Sequence, residues 1–365
     1  MDHRFRQQRL QSKLKHSGLD ALLITYLPNV RYLCGFTGSA AALLISERRS
    51  VFLTDGRYTA QARAEVQASR LIITRKASLL AVAEWLRENA RRFGVHGKWT
   101  LGIEAEHLTV ADRERLAKSL PASVCLRVLP PWIENARMLK DADELKHIRA
   151  AVLLGSQLFG VVLKSIRPGV RESEIAAELE YAARKAGAES MSFETIIASG
   201  PRSALPHGRA STAPISSRGF VVCDFGVILA GYCSDMTRTV HVGRPTTEAR
   251  RIYEAVREAQ QAAVAAVTPG VSLGEVDGTA RKVLKRNGLG RYFTHSTGHG
   301  VGLEIHEAPR IAAGQTEVLK PGMVITIEPG VYIPGKCGLR IEDMVVVTDR
   351  GCEVLTPTSK EMVAI

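Results

Sequence analysis

Short apolar runs alternate with amphipathic segments along the first 130 residues of the chain. The apolar runs predict β-strands, and apolar positions that recur every three or four residues predict helices. The predicted strands are residues 20–25, 40–46, 50–55, 71–75, 101–106 and 125–130. The predicted helices are residues 1–16, 58–66, 79–94 and 110–120, the last capped by Thr109. Residues 26–39, rich in turn formers, are predicted as an irregular connection. The alternation is typical of an α/β domain.

The rest of the chain repeats a different unit, in which two long helices precede a group of strands. Pro130 and Pro131 cannot continue a helix, so we place a boundary just after them and predict domains at residues 1–135 and 136–365. The predicted helices of the second domain are residues 140–166, 170–188, 246–267 and 272–290. Because the order of helices and strands occurs twice, we predict an α+β domain built as a degenerate internal duplication around a central site.

Two aspartates stand in the strands of the first repeat, VVCDFGVILAGYCSDMTRT at residues 221–239. The midpoint between Asp224 and Asp235 falls between Leu229 and Ala230, so a two- or four-residue loop centred there sets the aspartates directly opposite each other. Facing Cβ atoms in a sheet lie about 5 Å apart. Two carboxylates that close on an apolar hairpin repel, so a cation or a shared proton is expected to compensate them.

The second repeat carries two glutamates in the same arrangement, MVITIEPGVYIPGKCGLRIEDMV at residues 323–345. The midpoint of Glu328 and Glu342 is Gly335, so a three- or five-residue loop again brings the carboxylates face to face. Between the two hairpins the segment HSTGHGVGLEIHEAPR supplies His295, His299 and His306. Four carboxylates with an imidazole form an oxygen-rich donor set, which suits two divalent first-row ions better than a closed structural zinc site.

The contexts of these residues resemble the metallopeptidase family that includes aminopeptidase P, prolidase and methionine aminopeptidase, whose catalytic domain has the pita-bread fold. The segments DFG, SDMTRT, STGHG, TIEPG and RIED occur in the family's order. The intervals between them resemble the proline-specific branch, and the first domain resembles the creatinase-like N-terminal domain of that branch. The resemblance implies that the metal ligands are Asp224, Asp235, His299, Glu328 and Glu342.

The resemblance also implies catalytic roles for residues near the predicted ligands. Glu328 is expected to act as general base in addition to binding metal. His306 is expected to polarise the scissile carbonyl and to stabilise the charge that develops on it, and His207 to bind the substrate beside it. Arg340 lies two residues before Glu342 on the same strand face, so it is expected to hydrogen-bond the ligands or relay protons.

Two further residues are predicted to bind the substrate. His295 lies four residues before His299 and is expected to line the pocket. Arg310, in the segment HEAPR, resembles the arginine with which prolidase-like enzymes capture the free carboxylate of a dipeptide. Related aminopeptidases carry this arginine too, so it does not distinguish the two activities.

The resemblance implies a peptidase that cleaves the bond before proline near a free N-terminus. A dinuclear site lowers the pKa of a shared water towards neutrality and so supplies a hydroxide nucleophile. We expect an enzyme of the aminopeptidase P type, with an Xaa-Pro dipeptidase (prolidase) as the alternative. Manganese is the expected metal, with Co²⁺, Zn²⁺ and Fe²⁺ as alternatives. Creatinase, a relative that works without metal, and a non-catalytic pita-bread binding module fit less well because no ligand is missing.

The charge and the cysteines change this prediction little. A net charge of +12 at pH 7 would agree with a nucleic-acid partner, but basic and acidic residues are interleaved on the predicted helices, as in DRERLAK. We therefore expect solvated helix faces and no nucleic acid. Six cysteines without a CxxC pair are typical of reduced residues. Cys223 and Cys233 flank the aspartates, yet the hard carboxylates argue against thiolate ligands.

Localisation and partners are inferred from what the chain lacks and from the resemblance. The N-terminus is charged and has no apolar segment typical of a signal peptide, and no stretch reads as a transmembrane span. We therefore expect a cytoplasmic protein without a membrane partner. Proline-containing peptides are the expected substrates, and a homodimer is the expected assembly, with a tetramer as the alternative.

Overall fold

The computed structural model describes residues 1–75, 78–89 and 97–365. Over these residues the chain divides into two compact units, Met1–Arg137 and Met138–Ile365. Each unit has apolar clusters of its own, so each has the buried core that a domain requires.

The first unit is built on one six-stranded sheet. Its strands are β1 (Ala21–Ile24), β2 (Ala42–Ser46), β3 (Ser50–Asp55), β4 (Arg70–Thr74), β5 (Trp99–Glu104) and β6 (Val124–Leu129). Their order in the sheet is β4-β3-β2-β1-β5-β6; β1, β2 and β3 pair antiparallel, and the other pairs are parallel. The central strands β1 and β2 are buried at every position, which explains their continuous apolar sequences. The six predicted strands are confirmed.

Helices flank this sheet, four of them where they were predicted and two that were not predicted. They are α1 (His3–His16), α2 (Leu27–Cys34), α3 (Thr59–Glu65), α4 (Ser78–Asn89), α5 (Val110–Ser119) and α6 (Trp132–Arg137). The Thr109 hydroxyl accepts a hydrogen bond from the Asp112 N–H and caps α5 as predicted. Of the helix predicted at residues 79–94, residues 90–94 lie outside the described residues.

Helix α2 corrects one prediction. Residues 26–39 were expected to form an irregular connection, but most of them form this helix. Pro28 lies in the first turn of the helix, where a backbone N–H has no intrahelical acceptor, so proline costs no hydrogen bond there. The helix ends at Gly35, whose φ is 85°. The prediction was wrong because proline and glycine are breakers inside a helix but are favoured at these two ends.

The second unit contains two packed helix pairs, each followed by strands, which confirms the predicted duplicated order. The helices are α7 (Ala142–Ser165), α8 (Glu172–Lys185), α9 (Thr247–Ala265) and α10 (Leu273–Arg286). The strands of the first repeat are β7 (Ser190–Met191), β8 (Ile196–Ser199), β9 (Gly219–Phe225), β10 (Val227–Leu229), β11 (Tyr232–Cys233) and β12 (Met236–Val242). Those of the second repeat are β13 (Gly298–Gly300), β14 (Glu307–Ile311), β15 (Val324–Ile327), β16 (Gly330–Ile333), β17 (Cys337–Arg340), β18 (Asp343–Val347) and β19 (Cys352–Val354).

The strands of the second unit form small antiparallel sheets. The first repeat contributes the sheets β11-β10-β7 and β12-β9-β8. The second repeat contributes β14-β13-β15-β18-β19 and the hairpin β16-β17. Asp224 lies on β9, and Asp235, Glu328 and Glu342 lie next to the ends of β12, β15 and β18, so the register of these antiparallel pairs decides which side chains meet.

Helix α7 is the one element of the described residues that is long and apolar enough to cross a membrane by length and composition alone. Its most apolar 18-residue window has a mean hydropathy of 1.4, and 44% of that window is buried in the protein. The expectation that no segment reads as a span was therefore wrong on those two criteria. A core helix meets the same criteria, and α7 contributes Ile148, Val152 and Val162 to the apolar clusters of its unit.

Candidate metal centre

The register of β9 and β12 puts the two aspartates on one face, but not directly opposite each other. Asp224 faces Thr237, so Asp235 is its diagonal neighbour, two positions along the strand. The prediction that the aspartates are directly opposite was wrong, because the centre of the turn lies one residue further along the chain than predicted. The two central residues of the turn are Ala230 and Gly231, whose φ values are 50° and 78°. Positive φ at both central residues is typical of a type I′ hairpin. An offset of two residues keeps both carboxylates on the same face.

The glutamates of the second repeat take the predicted register. The hairpin β16-β17 has a three-residue loop centred on Gly335, whose φ is 68°. The pairs on either side of the glutamates share one register, so Glu328 lies opposite Glu342 and the predicted facing arrangement is confirmed. Those flanking pairs are Ile327 with Asp343 and Gly330 with Arg340.

His299 lies on β13 with its ring oriented by the backbone. Its Nδ1 donates to the Gly300 carbonyl at 3.0 Å, which leaves the Nε2 lone pair free to act as a ligand. Nε2 is 3.6 Å from Asp235 Oδ2 and 3.5 Å from Glu328 Oε1. A Cβ on Gly298 would overlap the Thr326 carbonyl, so only glycine lets β13 approach β15 this closely.

The predicted ligands come together in one cluster. Ligand atoms of Asp235, His299 and Glu342 all lie within 4.8 Å of one another. Glu328 joins this group through its contact with His299, and Asp224 is close enough for its charge to act on Asp235, Glu328 and Glu342. The structure therefore brings together side chains that are up to 118 residues apart along the chain.

The electrostatics of the cluster fit divalent cations. Among the residues that the structure describes, no hydrogen-bond donor reaches the buried atoms Asp224 Oδ1, Asp235 Oδ1 and Glu342 Oε1. Burial and the neighbouring carboxylates raise the pKa of Asp235 and of Glu342 well above the usual range, and burial raises the pKa of Glu328 to about 8. Burial lowers the pKa of His299 to about 4, so its ring is neutral. Unpaired buried oxygens beside a neutral imidazole are the donor set that two M²⁺ ions would satisfy.

Arg340 holds one edge of the cluster, as predicted. Its Nη2 donates to Asp224 Oδ2, and its Nε donates to Thr237 Oγ1 at 3.0 Å. Its Nη1 donates to the Tyr332 hydroxyl and, at 3.1 Å, to the Pro206 carbonyl. One guanidinium therefore connects a predicted ligand with the loop that carries His207.

The three other predicted histidines surround the cluster. The ring of His306 is exposed, and its centroid is 4.4 Å from that of His299. Desolvation, and then the nearby His207, lowers the pKa of His306, and His207 itself is exposed on the loop after the 3₁₀ helix Gly200–Ala204. His295 is half-buried, with Nε2 3.0 Å from the Tyr332 hydroxyl and Nδ1 2.8 Å from the Ser296 carbonyl. Burial lowers its pKa to about 4.

Arg310 lies on the strand next to that of His299. It is exposed on β14, and its Cα pairs with that of His299 on β13. Paired residues of antiparallel strands point to the same face of the sheet, so the guanidinium extends on the side of the metal centre.

Three polar residues of the site were missed from the sequence. The hydroxyl of Thr237 bonds Glu342, that of Thr326 accepts from the His299 N–H at 3.0 Å, and that of Tyr332 lies between Arg340 and His295. Each threonine lies two residues from a predicted ligand just outside its strand, so the two-residue strand period would have identified it. No comparable signal points to Tyr332.

Two family models match the chain in the same order as its two units. The model of the Creatinase/Prolidase N-terminal domain matches residues 6–139. The model of metallopeptidase family M24 matches residues 146–349, which include all five predicted ligands.

Relatives match the chain over nearly its whole length. An Xaa-Pro dipeptidase of Pyrococcus horikoshii is 38% identical over 349 residues, 95% of this chain and 95% of that protein. The solved structure of an Xaa-Pro dipeptidase from Bacillus anthracis has a TM-score of 0.94 at 40% identity and covers 100% of both chains. The structure of an X-Pro aminopeptidase from Thermotoga maritima has a TM-score of 0.90 at 36% identity, covering 99% of this chain and 100% of that one.

Proposed function

Because the chain belongs to metallopeptidase family M24, we propose that it hydrolyses Xaa-Pro dipeptides. It is a dinuclear-metal-dependent exopeptidase, with a creatinase-like N-terminal domain followed by a pita-bread catalytic domain. The sequence led us to expect an aminopeptidase P, with the dipeptidase as the alternative. The relatives support the alternative better, since those of Pyrococcus horikoshii and Bacillus anthracis are both named as Xaa-Pro dipeptidases.

The observation that carries the dipeptidase proposal is the similarity to two Xaa-Pro dipeptidases over nearly the whole chain, and the position of Arg310 provides its test. A dipeptide whose scissile carbon is at the metal centre ends in a free carboxylate only one residue beyond that carbon. The exposed guanidinium of Arg310, paired across the strands with His299, offers two parallel donors to that carboxylate at the edge of the cluster. A longer peptide has an amide in place of this carboxylate and gains nothing from the charge.

The proposed metal ligands are Asp224, Asp235, His299, Glu328 and Glu342. When bound, two divalent ions supply a Lewis acid for the scissile carbonyl and a nucleophile at neutral pH. The Nδ1–H bond from His299 to the Gly300 carbonyl keeps Nε2 turned towards the carboxylates, and Arg340 orients Asp224.

The chain's own residues complete the hydrolysis. Glu328 accepts a proton from the attacking water and delivers it to the proline nitrogen as the C–N bond breaks. Its position supports this role, because Oε1 lies 3.5 Å from His299 Nε2 within the cluster. His306 and His207 donate hydrogen bonds to the carbonyl oxygen, where negative charge develops. His295, held by Tyr332 and Ser296, forms the wall of the substrate pocket on that side.

The metal, the assembly and the location belong to the same proposal. The oxygen-rich donors suit manganese, so we propose Mn²⁺ as the native metal, which metal analysis of protein from its own cell would test. We propose a cytoplasmic homodimer that binds neither nucleic acid nor membrane. Light scattering of the purified protein tests the dimer, and cell fractionation tests the location.

The experiment that tests the activity compares three substrates on the Mn²⁺-reconstituted protein, each with and without chelator. Gly-Pro presents the free carboxylate, Gly-Pro-amide lacks it, and an Xaa-Pro-Xaa tripeptide displaces it by one residue. We expect cleavage of Gly-Pro that chelation abolishes, and much slower cleavage of the other two. The variant Arg310→Met should raise KM for Gly-Pro and remove the preference over the amide, whereas Arg310→Lys should retain part of it.

Other outcomes would contradict the proposal in different ways. Preferred cleavage of the tripeptide by the wild type would identify an aminopeptidase P. Cleavage of none of the three by metal-loaded protein would exclude an Xaa-Pro peptidase. An unchanged preference for Gly-Pro over its amide in Arg310→Met would remove this residue from substrate recognition.

A further inference from the structure

A buried ion pair lies beside the metal centre, outside the predicted ligand set. Lys140 Nζ is 2.7 Å from Glu307 Oε1, and the two side chains are only 1% and 6% exposed. Nζ also donates to the Met138 carbonyl at 3.4 Å. Burying two charges is costly unless their geometry is well defined, so a pair at this depth is held in one arrangement.

The lysine end of the pair is fixed by the backbone. Lys140 N–H donates to the Gly322 carbonyl at 2.9 Å, and Leu139 forms a β-bridge with Met323. These partners directly precede β15, the strand that leads to Glu328. The next residue, Asp141, begins the capping box of α7. The backbone of Lys140 is therefore held in place by the start of β15 and the cap of α7. Its ammonium group has a fixed position relative to the metal centre.

The glutamate end lies next to His306, at the start of β14. Strand pairing is irregular there, because His299 pairs with Arg310 but the next residue, Gly300, pairs with Glu307. Regular ladder hydrogen bonds are interrupted at such a bulge, so side-chain contacts take over part of the positioning. A Cβ on Gly302 would lie 2.9 Å from the Glu307 carboxyl carbon, so this carboxylate packs directly on the backbone opposite.

His306 needs such support because its own ring is exposed. Its established neighbour is His299, with ring centroids 4.4 Å apart and ring planes at 64°. The orientation of an exposed imidazole beside an irregular strand changes when the backbone moves. The adjacent residue, Glu307, is clamped between Lys140 and Gly302, and it is therefore the point at which the backbone of His306 is held.

We propose that the Lys140–Glu307 ion pair is a positioning element that fixes the His306 imidazole relative to His299. The proposal rests on the proposed function in one respect, since it takes His306 as the group that polarises the scissile carbonyl. Neither member of the pair belongs to the proposed metal ligands or to the residues proposed to bind the substrate. Its loss should impair the chemical step by misplacing His306, while the ligands keep their metal.

The test compares Lys140→Met, Lys140→Arg, Glu307→Gln and the double variant Lys140→Met with Glu307→Leu. The double variant removes both charges and so leaves no unpaired charge buried. Lys336→Met is the matched control, because Lys336 and Glu248 form an ion pair of the same 2.7 Å length with both side chains 52% exposed. The measurements are kcat and KM on Gly-Pro, bound metal, and the ring resonances of ¹³C-labelled histidines in the Zn²⁺-loaded protein.

We expect Lys140→Met and the double variant to lower kcat by about ten- to a hundredfold with full metal content and little change in KM. The ring resonance of His306 should shift, while that of His241, distant on β12, should not. Lys140→Arg should recover part of kcat because it keeps the cation, and Lys336→Met should match the wild type.

Several results would overturn the proposal. One is a double variant with kcat within about twofold of wild type and an unmoved His306 resonance. Another is a loss of activity fully accounted for by loss of metal, which would indicate a structural role only. If Lys140→Met fails to fold, the double variant decides. If the wild type cleaves no Xaa-Pro peptide, the proposed function fails, and the His306 resonance still tests the positioning independently.

Discussion

Thr237 and Glu342 exchange two hydrogen bonds across the centre of the catalytic domain. The Thr237 hydroxyl donates to Glu342 Oε2 at 2.7 Å, and the Glu342 N–H donates to the Thr237 carbonyl at 3.2 Å. Thr237 belongs to the aspartate-bearing repeat and Glu342 to the glutamate-bearing repeat. This contact therefore joins the two halves of the duplicated domain at the candidate metal centre and fixes the orientation of the Glu342 carboxylate, one of the proposed ligands.

The first prediction concerns this contact. Thr237→Val keeps the shape of the side chain but removes the donor to Glu342 and the acceptor for Arg340 Nε. We expect metal affinity to fall by about ten- to a hundredfold, measured by titration of the metal-free protein with Mn²⁺. Thr237→Ser retains the hydroxyl and serves as the control. Equal affinities of the valine and serine variants would show that the hydrogen bond does not orient Glu342.

The second prediction separates activity from stability at the ligands. Asp235→Asn replaces a buried carboxyl group whose ionisation is opposed by burial and by three neighbouring carboxylates. We expect turnover to be abolished while the metal-free protein becomes more stable by about 2 kcal/mol, measured by urea denaturation in chelator. Glu328→Ala should likewise abolish turnover and leave the fold intact. Retained Gly-Pro hydrolysis in either variant would contradict the assigned ligand set.

The third prediction is a pH dependence of the metal-free protein. Glu328 has a usual pKa of 4.5 that the fold raises to about 8, so the folded state binds its proton more tightly than the unfolded state. Stability should therefore fall as pH rises through this interval. The fold lowers the pKa of His299 and of His295 from 6.5 to about 4, so these two groups make stability rise with pH below pH 6.5. The fall in stability caused by Glu328 is therefore expected between pH 6.5 and 8.

The measurement for this window is Tm by calorimetry in chelator, and again with Mn²⁺. We expect Tm to fall between pH 6.5 and 8 in chelator. The metal-loaded protein should instead gain stability with pH, because the ions compete with protons for the same carboxylates. A flat Tm in chelator across the window would show that these carboxylates do not share one desolvated site.

The fourth prediction concerns close packing at the histidine ligand. Gly298→Ala places a Cβ into the Thr326 carbonyl, so β13 must move away from β15 and carry His299 with it. We expect a loss of about 1–3 kcal/mol in stability together with weaker metal binding. Gly278→Ala on α10 is the matched control, because a Cβ there meets nothing within 4 Å. This control should be neutral or slightly stabilising, since alanine favours helices. Similar metal affinities in the two variants would contradict the close-packing explanation.

The relation between sequence and structure is clearest in the two hairpins. Both turn on residues with positive φ, which glycine favours. In the second repeat Gly335 marks the centre of the loop, so the midpoint of the glutamates was enough to predict their facing register. In the first repeat Ala230 takes a φ of 50° beside Gly231, and alanine does not signal that conformation. The predicted register was therefore wrong, although both aspartates remain on one face because the offset between them is two positions.

The sequence signals that predicted correctly act over short distances along the chain. Helix caps, apolar periods and turn residues act over a few positions, so they predicted the strands of the first unit, the duplicated order and the carboxylate hairpins. The same local rules misread Leu27–Cys34, where proline and glycine stand at the ends of a helix. The family resemblance, also carried by short segments, identified the candidate ligands.

Which of these residues come into contact depends on the folding of the whole chain. Lys140 and Glu307 are 167 positions apart, and Tyr332 reaches Arg340 and His295 from a strand with no distinctive pattern around it. No short segment encodes such contacts, because they depend on how the two repeats pack against each other. The physical reason is the range of the forces involved: periodicity and caps are satisfied within one element, whereas a buried charge is satisfied only by a partner that the whole fold supplies.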